Sequence, residues 1–434
     1  MNDRRQPLTT SYLPLAGSIL LVFLCGTAFL VGGVSERMLH WWPGQASQPA
    51  GLGPTFAEAW NLVEEHYVDP SAVQPARMTD GAITGMLASL GDTGHTGYLT
   101  AREFEQLTND LRGEYRGIGA RMVLREHQVT VVSTVPGSPA AGKLKPGDVL
   151  VEVGGKTVQG LSLQELVQLV RGPDGTTVGL RLLRQGKPID LDIRRATFQV
   201  PNITARVLPV QHAGDAALAH VAIEDFGEHA GEELRKVLRQ VQKEGARGLI
   251  LDVRTDPGGE RDQAVAVSGE FLKKGDVIFQ QRNRAGTVRL ITNKESGIAV
   301  DIPLCVLIDE GTASSAEILA AALKDHHRGP LVGTHTFGTG TVLQQFVLSD
   351  KSAVLLGVDE WLPPDGVSTW HKGVKPDVEV PLAEHAEMLL PETEEGLTAN
   401  NLARSTDKQL LKAIDILTER LKKTTAAQKG SGGG

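Results

Sequence analysis

Two cysteines in 434 residues, Cys25 in an apolar leader and Cys305 in a short apolar run, leave nothing from which to build a disulfide framework or a thiolate metal site. The twelve histidines show no HExxH and no paired metal spacing, and the adjacent His326 and His327 would leave a helix in different directions. No metal and no cofactor is therefore expected. Aromatic residues make up only 4% of the chain, no basic block occurs and the net charge is −8. A nucleic-acid partner needs a stacking platform or a phosphate-neutralising patch, and both are missing. Long apolar runs are missing too, with one exception. Leu13–Val34 is long enough to cross a hydrocarbon core, and Arg4-Arg5 before it favour a cytoplasmic N-terminus with the bulk of the chain outside the cytoplasm. A cleaved signal peptide is the rival, since Ala28 and Gly32-Gly33 supply small residues. An uncleaved single-pass anchor is preferred, because the run is long for a signal and Trp41-Trp42 would suit an interfacial belt.

What is present centres on one strand-to-helix turn. Leu304–Ile308 is an apolar, β-branched run of buried-strand type, and Ile318-Leu319 with Ala320–Leu323 carries a helical pattern. Ser314 falls between them, where a small-residue turn exposes a hydroxyl beside helix-terminal N–H groups able to hold a developing oxyanion. The same residues also spell a capping box, Ser314 with Glu317 three positions on, which needs no chemistry at all. Upstream, Gly248–Val253 reads as a strand ending in Arg254-Thr255-Asp256-Pro257-Gly258-Gly259, and open α/β sheets place ligands at such carboxyl ends. A plain turn before a helix is the alternative there.

Gly311-Thr312-Ala313-Ser314-Ser315-Ala316-Glu317-Ile318-Leu319-Ala320, followed by Asp325, Arg328, Val332-Gly333, Thr336-Phe337-Gly338, Gly340 and Val342, resembles the core of the C-terminal processing peptidases, or tail-specific proteases. That resemblance implies a serine nucleophile at Ser314, an oxyanion hole from the N–H groups of Gly258 and Ser315, and a crotonase-like arrangement of sheet and helices. It also implies a lysine base supported by a glutamine, but Thr339 stands at the lysine position and Leu343 at the glutamine position. A threonine hydroxyl cannot accept the serine proton as a neutral lysine does. His335, His371 and Lys372 are the substitutes that chemistry offers nearby.

Between leader and core, residues 113–197 read as β-rich, with strands at Val129–Val132, Val149–Val153 and Val178–Leu183 and a helix over Leu163–Val170. Gly117-Ile118-Gly119-Ala120, Pro136-Gly137-Ser138-Pro139-Ala140-Ala141 and Leu144-Lys145-Pro146-Gly147-Asp148-Val149-Leu150, in that order, resemble a PDZ domain. The resemblance implies that the N–H groups of Gly117, Ile118, Gly119 and Ala120 hold a peptide's C-terminal carboxylate, with Ile118, Leu166 and Val170 walling its apolar pocket.

The fold expected is multidomain α/β. Residues 1–12 form a cytoplasmic N-terminus, 13–34 the anchor and 35–54 a linker. A helical region at 55–110 carries a core-facing stripe of Phe56, Trp60, Val63 and Tyr67. The PDZ domain is 111–197, the peptidase-like core 198–385, and a closing helix with a glycine-rich tail 386–434. The resemblance implies a membrane-anchored serine endopeptidase that grips unstructured protein C-termini. The alternative is a pseudoprotease that binds tails as a scaffold or regulator, because Thr339 and Leu343 replace the working pair.

Overall fold

A computed structural model describes residues 53–431 apart from 93–94, 126–127, 162, 210–216, 384–385, 387 and 395. The expected span Leu13–Val34 and Cys25 lie outside the described residues. Among the described residues no helix is long and apolar enough to cross a membrane.

The chain divides into two compact units, residues 1–79 and 80–434. In the first, α1 (Pro54–His66) begins on a proline, whose missing N–H costs nothing in a first turn. Its expected core stripe is not core: α1 buries no residue, and Phe56, Val63 and Tyr67 are exposed. Periodicity shows which side chains share a face, but covering that face takes a second layer, and the described part of this unit is too short to supply one. The next helix, α2 (Pro75–Ala88), runs on into the second unit, where it buries Leu87 and leaves Met86 exposed.

The second unit opens with β1 (Gly97–Leu99) and α3 (Ala101–Leu111), whose start is a reciprocal capping box between Thr100 and Glu103. The β-rich body follows: β2 (Glu114–Gly117), β3 (Ala120–Arg125), β4 (Gln128–Thr134), β5 (Val149–Val153), β6 (Lys156–Thr157), α4 (Leu163–Val170), β7 (Thr177–Arg184), β8 (Lys187–Arg194) and β9 (Ala196–Gln199). Strands β3-β4-β5-β7-β8 form one antiparallel sheet, while β2 pairs with β9 where the chain enters and leaves the body. Ile118, Val131, Leu150, Leu166, Leu182 and Ile193 fill its interior.

The core carries β10 (Ile203–Leu208), β11 (Ala217–Ile223), α5 (Ala230–Lys243), β12 (Ala246–Asp252), α6 (Arg261–Gly269), β13 (Val277–Asn283), β14 (Val288–Thr292), β15 (Leu304–Ile308), α7 (Ser315–Asp325), β16 (Leu331–Gly333), β17 (Thr341–Val347), β18 (Ala353–Leu362), β19 (Val378–Glu379), α8 (Ala399–Ala403) and α9 (Lys408–Ser431). Its main sheet has the order β10-β11-β12-β15-β16-β19, parallel except at the β10 edge. Helices α5, α6 and α7 cover one face, meeting Leu249, Leu251, Val306 and Ile308. Helix α9 covers the other, meeting Ile250, Cys305 and Leu307. A sheet buried on both faces selects continuous apolar strands, and β15 has all five residues buried. Burial pushes the Cys305 thiol up to about 12, so it is an inert core residue. A second sheet, β1-β18-β13-β14 with β17 also on β18, lies beside the loop that follows β16.

Candidate active site

Three loops meet at the carboxyl ends of β12, β15 and β16, the edge where parallel α/β sheets present ligand sites. Short hydrogen bonds stitch them together. Asp309 Oδ1 accepts from Thr255 N at 2.8 Å and from Gly311 N at 3.0 Å, and Thr312 Oγ1 donates to the Val253 carbonyl at 2.7 Å. Ala313 N donates to the Asp256 carbonyl, and Phe337 N to that of Thr312. Ser314 is thereby held in a turn that its own backbone disfavours, at φ 51° and ψ −116°. A non-glycine residue at such angles costs on the order of 1–3 kcal/mol and persists only where its surroundings over-determine it.

Of the capping box foreseen here, the Glu317 limb is made, with Ser314 N donating to Glu317 Oε2 at 3.0 Å. The Ser314 hydroxyl caps no helix amide, and the side chain is only half-buried, so it is open to approach.

Glu317 is fully buried and gathers five donors. Besides Ser314 N these are Thr339 N at 2.9 Å, Thr339 Oγ1 at 2.6 Å, Gly338 N at 2.8 Å and the Thr336 hydroxyl. Thr339 Oγ1 in turn accepts from Ser314 N at 2.7 Å. The residue at the family's lysine position is thus buried, and its hydroxyl is spent on positioning the serine's backbone. Leu343, at the glutamine position, sits opposite Gly357 beside a bulge in β17.

Gly258 is placed as expected but oriented otherwise. An added Cβ there would lie 2.8 Å from Ser314 Cβ and 2.9 Å from Ser315 N, at φ +97°, so only glycine lets the two loops close. Its N–H, however, does not face an open hole, because it donates to Asp256 Oδ1 at 2.8 Å. An Asp-Pro-Gly sequence favours this turn, in which the aspartate bonds its own backbone two residues on. Asp256 was not singled out from sequence. Burial pushes its carboxyl well above the usual range against the opposing Gly258 bond, and its Oδ2 has no partner among the described residues. Ser315 N heads α7, where a donor has no intrahelical acceptor, and Ser315 Oγ fixes the turn by donating to the Gly259 carbonyl at 3.0 Å.

Among the described residues no hydrogen bond links the substitute bases named from sequence to Ser314. His335, His371 and Lys372 are exposed, with His335 Nδ1 3.5 Å from the Lys372 carbonyl and His371 stacked on Trp370. Another histidine is better seated. His95 Nδ1 lies 2.6 Å from Thr341 Oγ1, and that hydroxyl donates to Asp92 Oδ2 at 3.1 Å. Burial, opposed by Asp92, holds His95 below the usual imidazole value. Its sequence signal is faint: a polar residue in a glycine-bearing loop between a helix and a strand.

In the β-rich body, Gly117, Ile118, Gly119, Ala120, Leu166 and Val170 line one cleft of about 290 Å³. Gly119 has φ +73°, and a Cβ there would overlap Ser138 at 2.2 Å. The cleft borders Glu224 and Asp225 of the core, and Tyr115 on its wall donates to Asp225 Oδ2 at 2.7 Å.

The family model for peptidase family S41 matches residues 217–380, and that for the PDZ domain matches residues 130–184. The carboxy-terminal processing protease CtpA of Bacillus subtilis is 36% identical over 377 residues, covering 86% of this chain and 76% of its own. The carboxy-terminal-processing protease of Bartonella bacilliformis is 31% identical over 76% of this chain and 75% of its own. The chain spans 61% of the length of two relatives from Staphylococcus epidermidis. Among solved structures, a photosystem II D1 C-terminal processing protease superposes with a TM-score of 0.52 at 28% identity, over 76% of this chain and 94% of that one. The chain belongs to the C-terminal processing peptidases of family S41.

Proposed function

We propose that this chain is an endopeptidase that grips unstructured protein C-termini in its PDZ cleft and hydrolyses peptide bonds with Ser314, tethered to a membrane by Leu13–Val34 with its bulk outside the cytoplasm. The observation that carries the reading is Ser314 itself, held at φ 51° by a fully buried five-donor carboxylate while its hydroxyl is left uncapped. A serine present only to cap the helix would spend that hydroxyl on an amide and would need no strain. The attacked carbonyl would lean on Ser315 N–H, with the Gly258 peptide supplying a second donor once it leaves Asp256. Tails ending in an apolar side chain suit the cleft walled by Ile118, Leu166 and Val170.

The test is degradation of an unfolded protein with an apolar C-terminus by the full-length chain and by Ser314→Ala. Cleavage is expected to fall at least about 1,000-fold in the variant while tail binding persists. Equal cleavage by both would refute the assignment. A second reading, tail binding without hydrolysis, is favoured by the engaged Gly258 N–H and by Thr339. It predicts binding with no Ser314-dependent cleavage.

Restoring the family pair is expected to be cooperative. Thr339→Lys alone removes the hydroxyl that holds Ser314 N and sets an ammonium beside Glu317, where it would stay protonated and unable to act as a base. Activity is expected to rise only when Leu343→Gln accompanies it, as measured by the same assay. A fully active single variant would overturn this.

A further inference from the structure

His95 sits in an arrangement whose chemistry the sequence did not announce. Asp92 Oδ2 accepts from the hydroxyls of Thr96 at 2.6 Å and Thr341 at 3.1 Å, and Thr96 Oγ1 also accepts from Gly357 N at 3.0 Å. Asp92 and Thr96 are thereby tied to β17 and β18. Because the single Thr341 proton goes to Asp92, that hydroxyl meets His95 as an acceptor, and the proton between them is the one on Nδ1. Nε2 then carries the lone pair. A carboxylate, a relaying hydroxyl and an imidazole in one chain fix both the tautomer and the orientation of the ring, as the third member of a catalytic triad does.

The start of β17 links this imidazole to the serine turn through two threonines. Gly340 directly precedes β17, its carbonyl accepting from Trp361 N, and Thr339 and Thr341 flank it; side chains two residues apart on extended backbone lie about 7 Å apart. The Thr339 hydroxyl is 2.7 Å from Ser314 N, and the Thr341 hydroxyl is 2.6 Å from His95. The serine turn and the imidazole thus each contact one of these two threonine hydroxyls, the ring through Nδ1. No hydrogen bond between the two is present here, and such contacts commonly form only when substrate closes the site.

Resting on the peptidase reading above, we infer that His95 is the general base for Ser314, doing the work that a lysine at position 339 would do. His95 Nε2 takes the Ser314 hydroxyl proton as Ser314 Oγ bonds to the carbonyl carbon, and the carbonyl electron pair moves onto its oxygen. Collapse of that oxyanion expels the amine, which leaves with the proton from Nε2. Water then attacks the acyl-enzyme, giving a proton to Nε2. That proton returns to Ser314 as the new carboxyl end departs. Asp92 and Thr341 are positioning residues.

The experiment follows the rate of Ser314 phosphonylation by a fluorophosphonate, and of tail cleavage, from pH 5 to 9 in the full-length wild type, His95→Ala, Thr341→Val and Ser314→Ala. The wild type is expected to show an acid limb that titrates below the ordinary imidazole value of about 6.5. His95→Ala should be slower by about 100-fold or more, lose that limb and recover in part with added imidazole, while its unfolding midpoint stays near wild type. Thr341→Val should slow the reaction about tenfold and displace the limb. Unchanged rates and limb in either variant would overturn the assignment of the base and leave the serine peptidase standing. A folded wild type showing no Ser314-dependent signal would sink the peptidase reading and this one with it.

Discussion

Glu317→Ala is expected to destabilise the second unit by about 3–5 kcal/mol, read as a shift in the urea unfolding midpoint, and to abolish any Ser314-dependent activity. The carboxylate is fully buried and accepts from three backbone amides and two hydroxyls. An alanine leaves all five donors facing a void, and each buried donor without an acceptor costs about 1–3 kcal/mol, part of which water entering the cavity returns. Glu317→Gln keeps the volume but presents an NH2 group to donors, so most of the loss should remain. Function is expected to suffer beyond stability, because Ser314 N is one of the five and the strained turn relaxes without it. A loss below about 1 kcal/mol would mean that the network is not what sets the turn.

The second large effect is one of pH. His220 on β11 is buried between two carboxylates, with Nδ1 2.7 Å from Glu394 Oε1 and Nε2 3.0 Å from Asp252 Oδ2. Arg254 continues the chain, donating to Asp252, to Asp407 at 3.0 Å and to the Leu389 carbonyl. These contacts bind the C-terminal segment to the central strands. Burial alone would lower His220, but its hydrogen bonds to Asp252 and Glu394 carry it up to about 9. A raised folded-state value means that the stabilisation is complete below the unfolded value of about 6.5, falls as pH rises from there, and is gone above about 9. Its size is on the order of 3 kcal/mol at full strength. Asp252 behaves oppositely: burial would raise it, but Arg254 and His220 hold it well below the usual carboxylate range. Its contribution is therefore present at neutral pH and lost as pH falls below the ordinary value of about 4. Denaturant unfolding at pH 6.5 and pH 9.5 should show the alkaline loss in wild type and little of it in His220→Gln. The same alkaline slope in both proteins would contradict this. Arg254→Met, which leaves Asp407 buried without its cation and Asp252 with His220 alone, is expected to cost about 3–5 kcal/mol at neutral pH.

Much of this architecture was legible in the sequence where physics is local. Leu304–Ile308 was read end to end, because a strand buried on both faces must be apolar at every position. Leu163–Val170 showed its helix in its own periodicity, and two of its residues, Leu166 and Val170, share one cleft with the Gly117–Ala120 segment. The hairpin of β13 and β14, which buries Ile278 and Phe279, was not read, since Gln280, Gln281 and Arg282 follow its few apolar residues and blur the strand signal. The role of Thr339 was half visible. Its identity excluded a base, but only coordinates reveal a hydroxyl shared between Ser314 N and Glu317. Partners more than a hundred residues apart leave no local pattern, which is why His220 with Glu394, Arg254 with Asp407, and His95 with Thr341 were invisible. The stripe of Phe56, Val63 and Tyr67 failed for the complementary reason, since periodicity describes a face and not what covers it.

Whether the Ser314 hydroxyl is a nucleophile decides between hydrolysis and tail binding alone. Incubating the folded full-length chain with a fluorophosphonate and mapping the adduct by peptide mass measures that directly. A single adduct on the peptide containing Ser314, absent from Ser314→Ala, is the predicted result. A folded chain that takes up no label, or takes it up equally in Ser314→Ala, would contradict it.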